Sequence, residues 1–179
     1  MVRHARTPAA VLFDRDATLI VDVPYNGDPD LVTLMPTASE AVAAVREAGL
    51  PTGIVSNQSG IARGLITAAQ AEAVNARTSE LLGGFDAVRY CPHGPDDGCA
   101  CRKPRPGMVL DAAAALGVDP ADVVVIGDIG ADVAAAHAAG ARGVLVPTPV
   151  TRHEEVEAAG AVATDLLAAV RLALAGGAA

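Results

Sequence analysis

Three short apolar runs stop abruptly at polar clusters, and this pattern constrains the fold of the chain more than any other feature. Each run has the length of a buried strand. The runs, with the polar residues that follow them, are Ala9–Phe13 with Asp14 and Asp16, Thr52–Val55 with Ser56 and Asn57, and Val123–Ile126 with Asp128. Because the carboxyl ends of parallel strands share one edge of a sheet, we expect these polar groups to converge there.

Segments with helical signals alternate with these runs. Thr67 with Gln70, and Thr37 with Glu40, both predict capping boxes at the start of helices. Further helices are predicted over 106–116, 132–139 and 165–175, and further strands over 87–90 and 143–146. This alternation predicts one α/β domain over residues 1–179, a doubly wound and mainly parallel sheet with helices on both faces. We expect no separate cap domain, and the open site that follows suits a monomer.

Composition excludes several classes of function. The formal net charge of −8 argues against nucleic acid, whose binding depends on neutralising phosphates. Aromatic residues make up only 2% of the chain, which leaves little for base stacking. No apolar run reaches the length of a membrane span, and the first residues do not resemble a secretory signal. We therefore expect a cytoplasmic protein with reduced thiols and without nucleic-acid or membrane partners.

The acidic residues at the predicted strand ends are typical of a magnesium site. Asp14, Asp16 and Asp128 would offer hard oxygen ligands around one point. Asp14 is also a candidate nucleophile, because carboxylates can form aspartyl-phosphate intermediates. Lys103 is the only lysine of the chain, and its compact ammonium group suits a phosphoryl group or neighbouring carboxylates. The structural alternative is an Asp-rich turn after a strand.

All three cysteines fall within eleven positions, together with one histidine. Cys91, His93, Cys99 and Cys101 form a set that could bind Zn²⁺ tetrahedrally, in a loop over residues 91–101 that is rich in Pro and Gly. A disulfide is the alternative, but it leaves one thiol over and suits a secreted chain better. Four protein ligands leave no place for water, so the zinc would be structural. It would order the segment that presents Arg102 and Lys103.

Four of these motifs together resemble those of the haloacid dehalogenase superfamily of phosphotransferases. They are Asp14-Arg15-Asp16-Ala17-Thr18, Ser56-Asn57, Lys103, and Gly127-Asp128 with Asp132, and the match extends from Val11 to about Val146. The resemblance implies a Mg²⁺-dependent phosphatase in which Asp14 attacks phosphorus and Asp16 serves as acid and then as base. It implies that Ser56 and Lys103 hold the phosphoryl group. It also implies Mg²⁺ binding by the Asp14 carboxylate, the Asp16 main-chain carbonyl and Asp128, with Asp132 orienting the lysine or the metal-bound waters.

The cysteine loop narrows the resemblance to small phosphatases without a cap. Cys91-Pro92-His93 and Cys99-x-Cys101-Arg102-Lys103-Pro104 are similar to the enzymes that act on heptose bisphosphate and on histidinol phosphate. The stretches Ser56–Gly64 and Arg102–Met108 favour the heptose branch. This implies removal of the 7-phosphate of D-glycero-D-manno-heptose 1,7-bisphosphate, on the route to nucleotide-activated heptose. The implied substrate contacts are Asp22, Tyr25, Asn57, Gln58, Ser59 and Arg102.

Two positions depart from that pattern. Ala17 stands where these enzymes usually carry glycine, and Ile129 where they usually carry lysine, which bears on rate and substrate. The alternative functions are a phosphatase for histidinol phosphate or another small ester, and a phospho-acceptor signalling domain or non-catalytic relic. A relic would be expected to have lost Asp14, Asp16, Lys103 or Asp128, and this chain retains all four.

Overall fold

The computed structural model describes residues 7–176, which form a five-stranded parallel sheet and its helices. The strands are β1 Ala10–Phe13, β2 Thr52–Asn57, β3 Ala87–Cys91, β4 Val123–Gly127 and β5 Arg142–Leu145. The helices are α1 Ala38–Glu47, α2 Ala68–Leu81, α3 Gly107–Leu116, α4 Gly130–Ala138, α5 His153–Ala158 and α6 Leu166–Leu174. The strand order is β3-β2-β1-β4-β5, and all pairs are parallel.

Hydrophobic cores cover both faces of the sheet, as the predicted doubly wound fold requires. Val11 and Phe13 of β1 face the helices α1, α2 and α6, whereas Leu12 faces α3 and α4. This alternation follows from the period of two along a strand. Each of these three side chains is completely buried. Burying one such side chain stabilises the fold by about 1.5–3 kcal/mol.

One of the two predicted capping boxes is present. Thr67 Oγ1 accepts a hydrogen bond from Gln70 N at 3.2 Å, and Gln70 Oε1 accepts one from Thr67 N at 2.9 Å. The box predicted at Thr37 is wrong. Thr37 has a left-handed backbone (φ 63°) and makes no cap bond, because its Oγ1 accepts from Leu167 N at 3.2 Å and so connects α1 to α6.

The remaining differences from the sequence prediction lie at the surface and at element ends. The short helix α5 has no buried residue, so no apolar pattern indicated it. Helix α4 begins at Gly130, two residues before the predicted start. Between β1 and α1 the chain forms only loops, isolated bridges and a 3₁₀ turn at Pro29–Leu31, so this connection holds no separate cap domain. Among residues 7–176, no helix is long and apolar enough to cross a bilayer.

The strand register brings the predicted polar clusters together. Phe13, the last residue of β1, pairs with Ile54 of β2 on one side and with Ile126 of β4 on the other. The residues that follow these three positions therefore lie side by side at the same edge of the sheet.

Candidate active site

Asp14 lies at the centre of this edge. Its main-chain N donates a hydrogen bond to the carbonyl of Ile126 at 2.9 Å, which prolongs the pairing of β1 with β4 by one residue. The residue is only 7% exposed. Burial raises the pKa of its carboxyl group, and Lys103 opposes that shift. The carboxylate therefore depends on nearby positive charge to stay ionised.

Lys103 provides part of that charge. Its Nζ donates to Asp14 Oδ1 at 2.7 Å, to Asp132 Oδ1 at 2.5 Å and to the carbonyl of Val55 at 2.7 Å. These three acceptors use all three protons of the ammonium group. Burial alone would lower the pKa of Lys103, but the carboxylates of Asp132 and Asp14 raise it above its usual value. The side chain therefore stays charged in the interior.

Asp14, Asp128 and Asp132 form a buried acidic cluster. Ligand oxygens of all three lie within 4.8 Å of one another, and the three residues could hold a metal ion. Burial, and then the charge of Asp132, raise the pKa of Asp128 to about 7. A single ammonium group cannot neutralise three carboxylates at such close range. This surplus of hard oxygen donors fits Mg²⁺.

Asp132 can approach the cluster only because residue 127 is glycine. A Cβ atom at Gly127 would lie 2.2 Å from Asp132 Oδ2, far inside van der Waals contact. Asp132 Oδ2 also accepts from the N of Ile129 at 3.2 Å, at the start of α4. Asp132 thus joins the end of β4 to Lys103.

Asp16 faces a different set of partners. Its two carboxylate oxygens accept from Arg15 Nε at 3.0 Å and from Arg15 Nη2 at 3.1 Å, and Gln58 Nε2 donates to Oδ2 at 2.8 Å. The same Gln58 Nε2 donates to Ser56 Oγ at 2.8 Å. Sequence reasoning missed Arg15, although its place between two candidate catalytic aspartates was an available signal.

Asn57 uses its side chain to hold the segment that carries the lysine. Its Nδ2 donates to the carbonyl of Lys103 at 3.1 Å, and its Oδ1 accepts from Lys103 N at 3.0 Å. Both polar groups of the amide are thereby bound to main chain 46 residues away in sequence. Asn57 lines the site, but in this structure its side chain binds the main chain of Lys103.

A cavity of about 770 Å³ opens above these residues. Of the predicted substrate contacts, those that line it are Asp22, Tyr25, Asn57, Gln58 and Ser59. Arg102 does not line it. Its Nη1 donates to the carbonyl of His93 at 3.3 Å, and the residue borders a separate, smaller cavity beside the cysteine loop. The mouth of the main cavity is apolar in part, with exposed side chains at Val21 and Val150.

The predicted zinc ligands meet at one point. Cys91 Sγ lies 3.1 Å from Cys101 Sγ and 3.6 Å from Cys99 Sγ, and His93 Nδ1 lies 3.3 Å from Cys101 Sγ. These sulfur–sulfur distances are much longer than a disulfide bond of about 2.05 Å, and all three cysteines are free. Four N and S donors within 4.8 Å of one another could bind zinc.

The cysteine loop is joined directly to the edge of the sheet that carries Asp14. Cys91 ends β3, and its carbonyl accepts from Gln58 N at 2.8 Å. Arg105, which lies two residues beyond Lys103 in the chain, donates to the carbonyl of Cys99. The loop is therefore tied to the segment after β2 through Gln58 and to the segment after Lys103 through Arg105.

The comparisons with known proteins agree with this geometry. Residues 100–171 match the family model described as HAD-hydrolase-like. A protein of Pseudomonas aeruginosa named D-glycero-beta-D-manno-heptose-1,7-bisphosphate 7-phosphatase is 40% identical over 147 residues, covering 77% of this chain and 80% of that protein. Its namesake in Escherichia coli is 36% identical over 165 residues, covering 84% and 86%.

Solved structures give the same result. The crystal structure of D,D-heptose 1,7-bisphosphate phosphatase from B. bronchiseptica, complexed with magnesium and phosphate, is 35% identical with a TM-score of 0.79. The match covers 90% of this chain and 96% of that one. Fold and site thus define a hydrolase of the haloacid dehalogenase superfamily. Within this superfamily the chain belongs to the family of the D-glycero-D-manno-heptose-1,7-bisphosphate 7-phosphatases, and the resemblance seen in the sequence is confirmed.

Proposed function

We propose that this protein is a Mg²⁺-dependent phosphatase that removes the 7-phosphate of D-glycero-D-manno-heptose 1,7-bisphosphate and releases heptose 1-phosphate. One observation carries the proposal: a buried lysine amine lies between Asp14 and Asp132, beside Asp128, at the base of an open cavity. The names of the relatives support the choice of substrate. We further propose that the enzyme acts as a monomer in the cytoplasm.

The metal ion would be held by the carboxylates of Asp14 and Asp128 and by the main-chain carbonyl of Asp16. When bound, Mg²⁺ supplies positive charge that stabilises the phosphoryl oxygens and the crowded carboxylates. Lys103 adds a fixed ammonium group, which donates to Asp14 Oδ1. Phosphoryl transfer depends mainly on such positioning and neutralisation of charge.

The reaction would proceed in two steps through Asp14. In the first, a carboxylate oxygen of Asp14 bonds to phosphorus while the ester oxygen leaves with a proton from Asp16. In the second, a water molecule gives a proton to Asp16, and the oxygen of this water attacks the phosphorus of the aspartyl phosphate. The bond to Asp14 breaks, inorganic phosphate is released, and both aspartates return to their first state.

The cavity suits a small, hydrated substrate. Asp22 and Ser59 supply polar groups that could bind sugar hydroxyls, and Tyr25 offers a ring face. Arg102 is proposed to bind the phosphate that stays on the sugar, since its guanidinium group can grip an anion with two hydrogen bonds. In this structure it binds a carbonyl instead, so it would have to exchange that bond for the phosphate.

The proposal is tested by phosphate release from heptose 1,7-bisphosphate and from histidinol phosphate, with Mg²⁺ alone and with Mg²⁺ plus excess EDTA. The variant Asp14→Asn is compared with Asp111→Asn, which changes an exposed aspartate of α3 in the same way. We expect metal-dependent release from the heptose ester, abolished by Asp14→Asn only. Preference for histidinol phosphate would overturn the proposed substrate, and no phosphate release from either ester would overturn the proposed function.

A further inference from the structure

Arg15 is the largest completely buried side chain in the described residues, with 1% exposure. A buried guanidinium group is costly unless its donors are used. Here they are used, because Arg15 grips both oxygens of Asp16, and its Nη1 donates to Asn75 Oδ1 at 2.7 Å. Asn75 lies on α2 and is itself buried. The carboxylate of Asp16 is therefore anchored, through Arg15, to a helix of the core.

The hydrogen bonds of Asp16 divide unequally between its two oxygens. Oδ2 accepts from Arg15 Nη2 and from Gln58 Nε2, at 3.1 Å and 2.8 Å. Oδ1 accepts only from Arg15 Nε, at 3.0 Å, among the residues from 7 to 176. A carboxylate oxygen has two acceptor sites, so both sites of Oδ2 are filled and one site of Oδ1 stays open.

Gln58 extends the same network to Ser56. Its Nε2 has two protons, and the two acceptors are Asp16 Oδ2 and Ser56 Oγ. Because the Ser56 oxygen accepts this bond, its own hydroxyl proton is available to another acceptor, such as a phosphoryl oxygen. One chain of hydrogen bonds therefore orients two groups that the reaction uses.

We propose that Arg15 is a positioning residue: it fixes the Asp16 carboxylate in one orientation and leaves Oδ1 as the oxygen that faces the reacting ester and water. The inference rests on the proposed function, since it needs Asp16 to act in both steps. Donors on both oxygens are required, because Arg15 Nε is the donor to Oδ1, and donors to Oδ2 alone would let the carboxylate rotate about its Cβ–Cγ bond. Arginine provides such a rigid fork and lysine does not.

The test compares Arg15→Lys, which keeps the positive charge, with Arg77→Lys on the exposed side of α2. Two substrates are used, the heptose ester and p-nitrophenyl phosphate, whose phenolate leaves without a proton. For Arg15→Lys we expect kcat on the heptose ester to fall at least tenfold, with KM changed less than twofold. Asp16→Ala marks the full effect, about 10²–10⁴-fold for general acid–base catalysis.

Rapid mixing with p-nitrophenyl phosphate separates positioning from folding. We expect the first turnover of Arg15→Lys to keep the rate and amplitude of the unchanged protein. The later turnovers should slow, because hydrolysis of the aspartyl phosphate needs Asp16 as base. Asn75→Ala, which keeps Arg15, should give a weaker form of the same pattern. It serves as the test if Arg15→Lys does not fold.

Three results would overturn parts of this reasoning. A loss of burst amplitude in proportion to the loss of kcat would mean that Arg15 is merely structural. Unchanged kcat in both Arg15→Lys and Asn75→Ala would mean that the grip is not used. Absence of phosphate release from the unchanged protein would overturn the proposed function, and the inference with it. That outcome is distinct from the other two.

Discussion

Replacing Ala17 by glycine should stabilise the protein. Ala17 has a left-handed backbone (φ 61°), and its N donates to the carbonyl of Ile20 at 2.8 Å, so the turn that follows Asp16 enforces this conformation. A Cβ atom in that region costs roughly 1–2 kcal/mol. Glycine removes this strain but gives the unfolded chain more freedom, worth about 0.4–1 kcal/mol in the opposite direction.

The net effect of Ala17→Gly is a gain of about 0.8 kcal/mol in the free energy of unfolding, taking the middle of each range. For a chain of this size the gain corresponds to a rise of roughly 2–3 °C in Tm. Scanning calorimetry without metal measures it. Ala43→Gly, at an exposed position in the middle of α1, is the matched control and should lose about 1 kcal/mol. Equal losses in the two variants would refute the claim of strain at Ala17.

Three further predictions concern charge and metal. Lys103→Met should abolish phosphate release and lower the free energy of unfolding in urea by about 3–5 kcal/mol, because it leaves Asp14 and Asp132 buried without their cation; unchanged stability would contradict this. The pKa of Asp128, raised to about 7 by burial and by Asp132, favours the protonated carboxyl in the folded, metal-free protein. The free energy of unfolding without metal should therefore fall as pH rises from about 4 to about 7. The Mg²⁺ affinity, measured by titration calorimetry, should rise about tenfold per pH unit before levelling above pH 7. A flat profile of either quantity against pH would contradict this prediction. Cys101→Ser should contain no zinc, as measured by elemental analysis, and its kcat in excess Mg²⁺ should be lower, because the loop no longer orders the segment of Lys103. Full activity without zinc would show that catalysis does not depend on the loop.

The sheet and the convergence of its polar ends could be predicted from the sequence, because both depend on local signals. Apolar runs of four or five residues mark the strands, and the rule for parallel strands places Asp14 and Asp128 at one edge. The cysteine cluster was predictable for a related reason, since its members lie close together in the chain. Chain proximity limits the number of geometries that the loop can adopt.

The partners of individual polar side chains could not be predicted in this way. Arg15 binds Asn75 across 60 residues of sequence, and Thr37 binds Leu167 across 130. Such choices depend on which helix packs against which, and the local pattern does not contain that information. Asn57 is a further example: its position after a strand indicated the site, but its use as a clamp on the Lys103 backbone depends on the path of a distant loop.

The lack of a cap in the described residues bears on the fate of the phosphoryl group. Between β1 and α1 the chain contributes only a low rim of loop, and the cavity above Asp14 stays in contact with solvent. Enzymes that pass a phosphoryl group to a second organic acceptor must exclude water while the intermediate survives. In this open cleft, water could reach a phosphorylated Asp14 directly. On the mechanism proposed above, this open cleft favours hydrolysis of the intermediate over transfer to a second organic acceptor, and the sugar could leave without the movement of a lid.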